Sequence, residues 1–320
     1  MITVRDLSMR YGSVVALRNA TFSVQRGEVV GLLGPNGAGK STTMKILTTY
    51  LYPTSGSAVV GDKDVLAAPL EVRELIGYLP ETLPLYPGSD VHTYLQFVGK
   101  ARGLQGALLR ERTDWVVQRC GLTPMYRKLI RELSKGFRQR VGLAQALIHD
   151  PEVIMLDEPT SGLDPHQILE IRHLIRRLAR DKTVLLSTHI LQEVEAVADR
   201  IVIINNGVIV GDGTPQELNQ RARHPQRLQL AVGGARVEVE AALKQLPDVA
   251  QVRYDEAQDG FEHFTVDAPH GVQLWQQVSE LMRARGWQVG ILSPQAGTLE
   301  ETFLALTAPK DGAAGRQRAN

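Results

Sequence analysis

Short, mainly apolar runs separated by amphipathic stretches form the main pattern of hydrophobic and polar positions along this chain. Residues 29–33, 153–156 and 183–187 are largely apolar, which is typical of strands buried on both faces of a parallel sheet. After the second run, apolar residues recur at helical spacing: Ile168, Ile171, Leu174, Ile175 and Leu178. This succession of buried strand and amphipathic helix predicts an α/β domain.

The pattern changes twice along the chain, and each change indicates a separate substructure. From about residue 88 to residue 150 the strand signal is lost and apolar residues take helical spacing, which predicts a helical insert. Residues 220–225 are polar and predict a linker. Over 225–307 the order strand, helix, strand, strand, helix, strand predicts a small α+β domain of the ferredoxin-like type. A disordered tail is predicted for 308–320.

Composition and charge narrow the function classes. The 320 residues include 36 basic and 35 acidic side chains, for a net charge of +1, which argues against a nucleic-acid partner bound by bulk electrostatics. The single cysteine, Cys120, allows no internal disulfide and favours a reducing compartment. We expect no signal peptide, and no apolar run approaches the roughly 18 residues of a membrane-spanning helix.

The stretch from Gly34 to Ser41, GPNGAGKS, fits the pattern G-x-x-x-x-G-K-[ST] of a phosphate-binding loop. It lies between a predicted strand and a predicted helix, where backbone N–H groups and the helix N-terminus can attract one anion. We expect Lys40 to reach the β- and γ-phosphates of a nucleotide and the Ser41 hydroxyl to ligate Mg²⁺. The predicted nucleotide-binding residues here are Gly34, Pro35, Asn36, Gly37, Ala38, Gly39, Lys40, Ser41 and Thr42.

Two carboxylates, Asp157 and Glu158, follow the apolar run 153–156. They would stand at the carboxyl end of a buried strand, which is where α/β folds bind ligands. Asp157 is expected to hold Mg²⁺, directly or through water. Glu158 is expected to orient and deprotonate the water that attacks the terminal phosphate. An ordinary acidic turn is the alternative for the pair alone, and the phosphate loop upstream disfavours it.

Further motifs resemble those of the ABC-type ATPases, the nucleotide-binding subunits of ATP-binding-cassette transporters. Residues 133–140, LSKGFRQR, resemble the family signature LSGGQ, and residues 161–164, SGLD, resemble the D-loop. His189 is at the position of the family's switch histidine, which senses the γ-phosphate. Tyr11 is at the position of the aromatic residue that stacks on adenine. A strand tyrosine packed in the core is the alternative for Tyr11.

The resemblance covers roughly residues 1–220 and implies a fold, cofactors and a dimer. The fold is a P-loop cassette with a mixed sheet core, an antiparallel β subdomain and a helical signature subdomain. The cofactors are ATP and Mg²⁺. In the family, each ATP lies between the phosphate loop of one cassette and the signature of another. Ser134 and Gly136 are therefore expected to face the ATP of a second ATPase subunit, which makes two equivalent sites if the dimer is a homodimer.

Four positions depart from the common family pattern. In the signature, Lys135 replaces the first glycine and Phe137 replaces the glutamine. In the D-loop, Gly162 stands where alanine is usual. Glu81 stands where most members have glutamine, and its carboxylate is expected to ligate Mg²⁺. With Glu81 and the signature residues 133–140, the chain most resembles the gliding-motility-associated branch of exporters, whose ATPase and permease are separate chains.

The resemblance implies an ATP-hydrolysing subunit that drives a separate integral-membrane permease, most simply an exporter, from the cytoplasmic face of the inner membrane. Residues 82–87, TLPLYP, directly follow Glu81 and are predicted to contact that permease. One alternative is a soluble ABC-type ATPase acting on a ribosome or chromosome, although the chain has one cassette and no long coiled coil. Another is a regulatory module that holds ATP without hydrolysing it, against which Glu158 counts. The role of the 225–307 domain stays open.

Overall fold

The computed structural model describes residues 1–221, 226–269, 272–295 and 297–308. The chain divides into two compact units, Met1–Pro215 and Gln216–Asn320. A helix continues to Arg221, so the first two residues of the predicted linker are helical. The rest of that linker and the predicted tail beyond residue 308 lie outside the described residues. No helix in the described ranges is long and apolar enough to span a membrane.

The first unit combines strands and helices in the following order. The strands are β1 (Ile2–Tyr11), β2 (Val14–Val24), β3 (Val29–Leu33), β4 (Ser55–Val60), β5 (Lys63–Asp64), β6 (Ile76–Leu79), β7 (Val153–Asp157), β8 (Thr183–Thr188), β9 (Arg200–Asn205) and β10 (Val208–Gly213). The α-helices are α1 (Lys40–Leu47), α2 (Pro69–Leu75), α3 (Val91–Ala101), α4 (Gly106–Arg119), α5 (Lys135–Leu147), α6 (Pro165–Leu178) and α7 (Leu191–Val197). A further helix, α8 (Pro215–Arg221), begins at the boundary between the units.

The central sheet of the first unit has the strand order β10-β9-β3-β8-β7-β6. Five of these strands run parallel, and β10 pairs antiparallel with β9, so the sheet is mixed as expected. The register places Leu33 beside Thr188 and Asp157 beside Ser187. The carboxyl ends of β3, β7 and β8 therefore meet at one edge of the sheet.

Both faces of the central sheet are buried. Ile154 and Leu156 of β7 belong to one hydrophobic cluster, and Val153 and Met155 to another. Because successive side chains of a strand point to opposite faces, these two clusters lie on opposite sides of the sheet. The first cluster includes residues of the helical insert, and the second includes residues of a separate antiparallel sheet of order β2-β1-β4-β5. The continuous apolar runs of the sequence follow from this two-sided burial.

Helices α3, α4 and α5 lie in the stretch where the helical insert is predicted. Side-chain caps begin two of them: Asp90 accepts from the Thr93 amide at 3.0 Å, and Ser134 accepts from the Phe137 amide at 3.4 Å. The insert approaches the central sheet closely at Gly77 of β6. A Cβ atom at Gly77 would lie 2.1 Å from the carbonyl oxygen of Ala146 in α5, so only glycine fits there.

The second unit contains one antiparallel sheet with helices. Its elements are β11 (Gln226–Gly233), α9 (Arg236–Lys244), β12 (Gln251–Gln258), β13 (Phe261–Ala268), α10 (Leu274–Arg285), β14 (Gln288–Gln295) and α11 (Leu299–Thr307). The strand order is β12-β13-β11-β14, and each neighbouring pair is antiparallel. Leu230 and Phe264 of the sheet pack with Leu243 of α9 and Val278 of α10 in one core.

His149, in the connection between α5 and β7, has one paired and one unpaired ring nitrogen among the described residues. Its Nε2 atom lies 3.0 Å from the carbonyl oxygen of Ile76 and donates to it, while Nδ1 is buried and makes no hydrogen bond to any described residue. Burial, with the nearby Arg102 guanidinium, lowers the pKa of His149 from 6.5 to about 4. Protonation would bury an unpaired N–H and a positive charge, so the folded protein keeps this ring neutral.

This histidine predicts a pH dependence of stability. The unfolded chain binds a proton at His149 below about pH 6.5 and the folded chain only below about pH 4, so stability is lost as pH falls through this window. We expect His149→Gln, which can still donate to Ile76, to remove this part of the loss. Urea unfolding at about pH 7.5 and about pH 5 should show the wild type losing roughly 2 kcal/mol more than the variant. Equal losses in the two proteins would contradict the assignment.

Candidate functional site

The predicted phosphate loop connects β3 to α1 and encloses the Lys40 side chain. Lys40 is the first residue of α1 and is buried. Its ammonium donates to the carbonyl oxygens of Gly34 at 2.8 Å and Pro35 at 3.2 Å. The loop thus wraps around the lysine and holds its charge at the N-terminus of α1. An anion bound there meets both the ammonium and the free N–H groups of the helix start.

Two glycines of the loop are needed, one for its backbone conformation and both because other backbone atoms lie close to them. Gly39 has φ of +109°, and a Cβ atom there would lie 2.7 Å from the carbonyl oxygen of Ala16. A Cβ atom at Gly34 would lie 2.2 Å from the carbonyl oxygen of Ile204 in β9. The loop is therefore pressed against the backbone of its neighbours, and larger residues at these two positions would force it away.

Two serine hydroxyl groups donate hydrogen bonds to Asp157 at the end of β7. The Ser41 hydroxyl donates to its Oδ1 atom at 3.2 Å, and the Ser187 hydroxyl donates to the same atom. Burial, followed by the charge of Asp157 and a hydrogen bond to it, raises the pKa of Tyr78, so this phenol stays protonated and can donate. Sequence reasoning paired Ser41 with Asp157 through a metal but missed Ser187 and Tyr78. The register of β7 with β8 and with β6 places Ser187 and Tyr78 next to Asp157.

The oxygen atoms of Ser41 and Asp157 fit a magnesium ion, because Mg²⁺ prefers hard oxygen ligands and usually retains several waters. Glu81, which is exposed just after β6, lines the same cavity as Ser41 and offers a third oxygen donor. Within the described residues, no group of three or more histidine, cysteine, aspartate or glutamate side chains forms a complete metal cage. Such a site would rely on phosphate and water for its remaining ligands.

Glu158 lies between two nitrogen groups. Its Oε1 atom is 3.5 Å from the Lys40 ammonium, and its Oε2 atom is 2.9 Å from Nδ1 of His189. The carboxylate is buried, whereas the His189 ring is about two-fifths exposed. Glu158 has φ of +48°, a left-handed conformation that is rare for residues other than glycine and that is often found at active sites. A buried carboxylate with an oriented histidine can accept a proton from water.

Hydrogen bonds of the Thr188 side chain fix the backbone on both sides of His189. The Thr188 hydroxyl donates to the buried Glu193 carboxylate at 2.8 Å and accepts from the Ile190 amide at 3.1 Å. These bonds tie the end of β8 to α7 on both sides of the histidine. The ring is thereby directed at Glu158 by its own loop. The sequence predicted a role for His189 but gave no sign of this support.

A cavity of about 460 Å³ lies above the phosphate loop and joins most of the predicted site residues. Its lining consists of Ala16, Asn36, Gly37, Gly39, Lys40, Ser41, Thr42, Glu81, Glu158, Ser161 and His189. Ala16 and Ser161 were not predicted as site residues. Glu81, Glu158 and Ser161 also line an adjoining cavity of about 530 Å³ that extends toward the start of α5. The arrangement can hold a polyphosphate and place a carboxylate beside it.

Three residues predicted to contact the nucleotide from outside the phosphate loop, Tyr11, Ser134 and Gly136, do not line the cavity above the loop. Tyr11 ends β1 with 46% of its surface exposed, which leaves a face open for stacking. Ser134 and Gly136 lie at the start of α5. Ser134 is exposed, whereas Gly136 is buried against Gln167 of α6. The adenine and signature roles of these residues stay predictions.

Comparison with known proteins identifies the family. The family model described as ABC transporter matches residues 17–161, from within β2 to Ser161. A model of an AAA domain also matches residues 129–195. The phosphate loop, Asp157, Glu158 and His189 lie within these two ranges.

Relatives extend the match over nearly the whole chain. The uncharacterized ABC transporter ATP-binding protein YxlF of Bacillus subtilis (strain 168) is 34% identical over 306 residues, covering 95% of this chain and 98% of YxlF. The linearmycin resistance ATP-binding protein LnrL of the same organism is 32% identical over 310 residues, covering 96% and 98%. A solved ATP-binding subunit of an ABC transporter, 32% identical, superposes with a TM-score of 0.63 over 69% of this chain and 92% of that one. The chain belongs to the ATP-binding subunits of ABC transporters.

Proposed function

We propose that this subunit hydrolyses ATP to ADP and phosphate and thereby drives a separate membrane permease. The observation that carries the proposal is the position of Glu158, a buried carboxylate 2.9 Å from His189 and 3.5 Å from Lys40 at the mouth of the phosphate loop. A module that only stores ATP has no need of a carboxylate oriented in this way. The chain belongs to a family of ATPases, which supports the same conclusion.

In this proposal each polar residue of the site has a separate role. The loop amides and the Lys40 ammonium bind the phosphates, and phosphate oxygens compete with the Gly34 and Pro35 carbonyls for that ammonium. Ser41, Asp157 and Glu81 hold Mg²⁺, which neutralises phosphate charge when bound. Glu158 orients the attacking water and takes its proton. His189 fixes the carboxylate and donates to the γ-phosphate, and Tyr11 stacks on the adenine.

One variant of this site should lose ATP binding, and another should bind ATP but lose hydrolysis. We expect Lys40→Ala to lose ATP binding, because the positive charge inside the loop is removed. Glu158→Gln should keep binding and lose turnover by about 10²–10⁴-fold, the usual contribution of a general base. Nucleotide titration and phosphate release measure the two effects. Turnover of Glu158→Gln near the wild-type rate would show that another group activates the water.

The positions of the signature residues support a dimer. Ser134 and Gly136 line neither the cavity above the loop nor the adjoining one, although both cavities reach Glu158 and Ser161. In a symmetric homodimer, the exposed Ser134 of one subunit would face the ATP of the other, and each of two sites would be built from both chains. The α5 N-terminus, capped by Ser134, would then add its partial positive charge to that site.

ATP should therefore drive dimer formation, most visibly when hydrolysis is blocked. Sedimentation of Glu158→Gln with saturating ATP and Mg²⁺ should show a dimer, whereas the same variant without nucleotide should remain monomeric. Adding Ser134→Arg should abolish the dimer, because a long side chain would stand against the partner's phosphate. Gln118→Arg, at an exposed position on α4, is the matched control and should leave the dimer intact. A Glu158→Gln protein that remains monomeric with ATP would refute the proposed assembly.

An exposed aromatic cluster supports the permease contact predicted near residues 82–87. Tyr86 and Phe97 are 55% and 52% exposed, and the Tyr86 ring packs against both Phe97 and Tyr94 at centroid distances of 5.7 and 5.8 Å. Leu85 differs from the expectation, because it is only partly exposed and packs on the core of the insert. Tyr86 and Phe97, with the loop that begins at Glu81, therefore form the proposed contact surface.

Replacing this aromatic surface should uncouple the subunit from its membrane partner. We expect Tyr86→Ser with Phe97→Ser to preserve the ATPase rate of the purified subunit, since neither residue lines the cavity above the loop. The amount of integral-membrane protein that copurifies from detergent-solubilised membranes should fall several-fold. Leu108→Ser, at a 51% exposed position on α4, is the control. Unchanged copurification of the double variant would place the contact elsewhere.

Three narrower assignments complete the proposal. Export is supported by LnrL, whose name states a role in linearmycin resistance, and would place this subunit on the cytoplasmic face of the inner membrane. Neither YxlF nor LnrL is named as a gliding-motility protein, so assignment to that branch stays a prediction. The ferredoxin-like assignment of the second unit is supported by its strand–helix–strand–strand–helix–strand order with all neighbouring strands antiparallel.

A further inference from the structure

Two departures from the common family pattern, Lys135 in the signature and Gly162 in the D-loop, meet in the folded chain. Gly162 has φ of +67°, and a Cβ atom at this position would lie 2.1 Å from the Nζ atom of Lys135. The lysine ammonium therefore occupies the space that the methyl group of an alanine at residue 162 would take. The two substitutions form one contact, which neither position reveals alone.

A second contact lies directly beside the first. A Cβ atom at Gly136 would lie 2.7 Å from the Cδ atom of Gln167, in the first turn of α6. Asp164 begins that helix by accepting from the Gln167 amide at 2.9 Å. The first two residues of α5 thus rest against the segment that runs from Gly162 into α6.

The segment touched by Lys135 is continuous with the catalytic carboxylate. Residues 158–163 form a compact turn in which the Ser161 amide donates to the carbonyl oxygen of Glu158 and the Leu163 amide donates to that of Thr160, each at 3.1 Å. Lys135, Glu158 and Ser161 line the same 530 Å³ cavity. Gly162 is therefore linked to Glu158 through a few hydrogen-bonded residues.

The Lys135 ammonium is free of competing partners in the parts of the chain that the structure describes. It forms no ion pair there, although Arg131 and Arg138 share its cavity with Glu81 and Glu158. Lys135 is exposed, and its Nζ atom lies over Gly162 without a hydrogen bond to any of the described residues. A positively charged group in contact with a backbone turn can stabilise that turn through its carbonyl dipoles.

We propose that Lys135 is a positioning residue that holds the turn 158–163 against the start of α5, and that glycine at residue 162 permits this contact because it leaves room for the ammonium. Motion of the signature helix would then reach Glu158 within the same subunit through this contact. The inference rests on the proposed ATPase function, because its consequence is the rate of hydrolysis. The contact joins residues of one chain, so its effect on amide hydrogen exchange does not depend on the dimer.

A double-mutant cycle tests the contact. We expect Lys135→Ala and Gly162→Ala each to lower kcat by about threefold to tenfold, with KM for ATP changed less than about twofold, since positioning rather than binding is lost. Gly162→Ala also strains the backbone, but that strain is the same in both backgrounds. In the Lys135→Ala background, Gly162→Ala should therefore cost less than about twofold further. The same factor in both backgrounds, or a raised KM with unchanged kcat, would overturn the proposal.

Hydrogen exchange supplies a readout that does not depend on hydrolysis. In the protein without nucleotide, Lys135→Ala should speed exchange of the Ser161 and Leu163 amides at least about threefold, because the turn opens more often. Arg131→Ala removes a neighbouring charge of the same cavity and is the matched control. Arg131→Ala should leave the exchange rates of these two amides unchanged. Its effect on the free energy of activation from kcat should add to that of Gly162→Ala. Unchanged exchange in Lys135→Ala would overturn the proposal even if the ATPase function holds, whereas loss of the ATPase function alone would leave this exchange result intact.

Discussion

The parallel pairing of β3 with β8, and of β8 with β7, is the constraint on which the site depends. The register sets Leu33 beside Thr188 and Asp157 beside Ser187, so the loop after β3, the carboxylates after β7 and the histidine after β8 emerge at one edge. Parallel strands present their carboxyl ends together, and the loops that follow them converge. A shift of one residue in either pairing would turn Asp157 to the opposite face of the sheet and separate it from Ser41.

At that edge, Glu158 combines a buried negative charge with a strained backbone conformation. A buried carboxylate is stable only if it is paired and hydrogen-bonded, and Lys40 and His189 supply the two partners. The left-handed backbone of Glu158 costs of the order of 1–3 kcal/mol in residues other than glycine. Hydrogen bonds to β8 offset this cost, because the Glu158 amide donates to the backbone and hydroxyl oxygens of Ser187. The result is a carboxylate held in one orientation before any ligand arrives.

The helical insert connects this edge to two surfaces. Its last helix, α5, is pressed onto β6 at Gly77 and begins at Ser134, while the loop after β6 leads from Glu81 to the exposed Tyr86. Close packing through glycine leaves little freedom for α5 to move without displacing its neighbours. The contact of Lys135 with Gly162 gives the same helix a second attachment, on the D-loop side. A movement of the insert therefore has physical routes toward both Glu81 and Glu158.

The sequence by itself determined the parts of this protein that depend on local chemistry. The phosphate loop, the paired carboxylates after an apolar run and the strand–helix order of the second unit all follow from backbone requirements and periodicity, which act over a few residues. Tertiary structure alone decided which distant groups meet: Ser187 and Tyr78 at Asp157, Thr188 with Glu193 behind His189, and Lys135 over Gly162. It also showed that Leu85 packs inward while Tyr86 is exposed. Such contacts depend on strand register and helix packing between residues far apart in the chain, and local patterns carry no record of them.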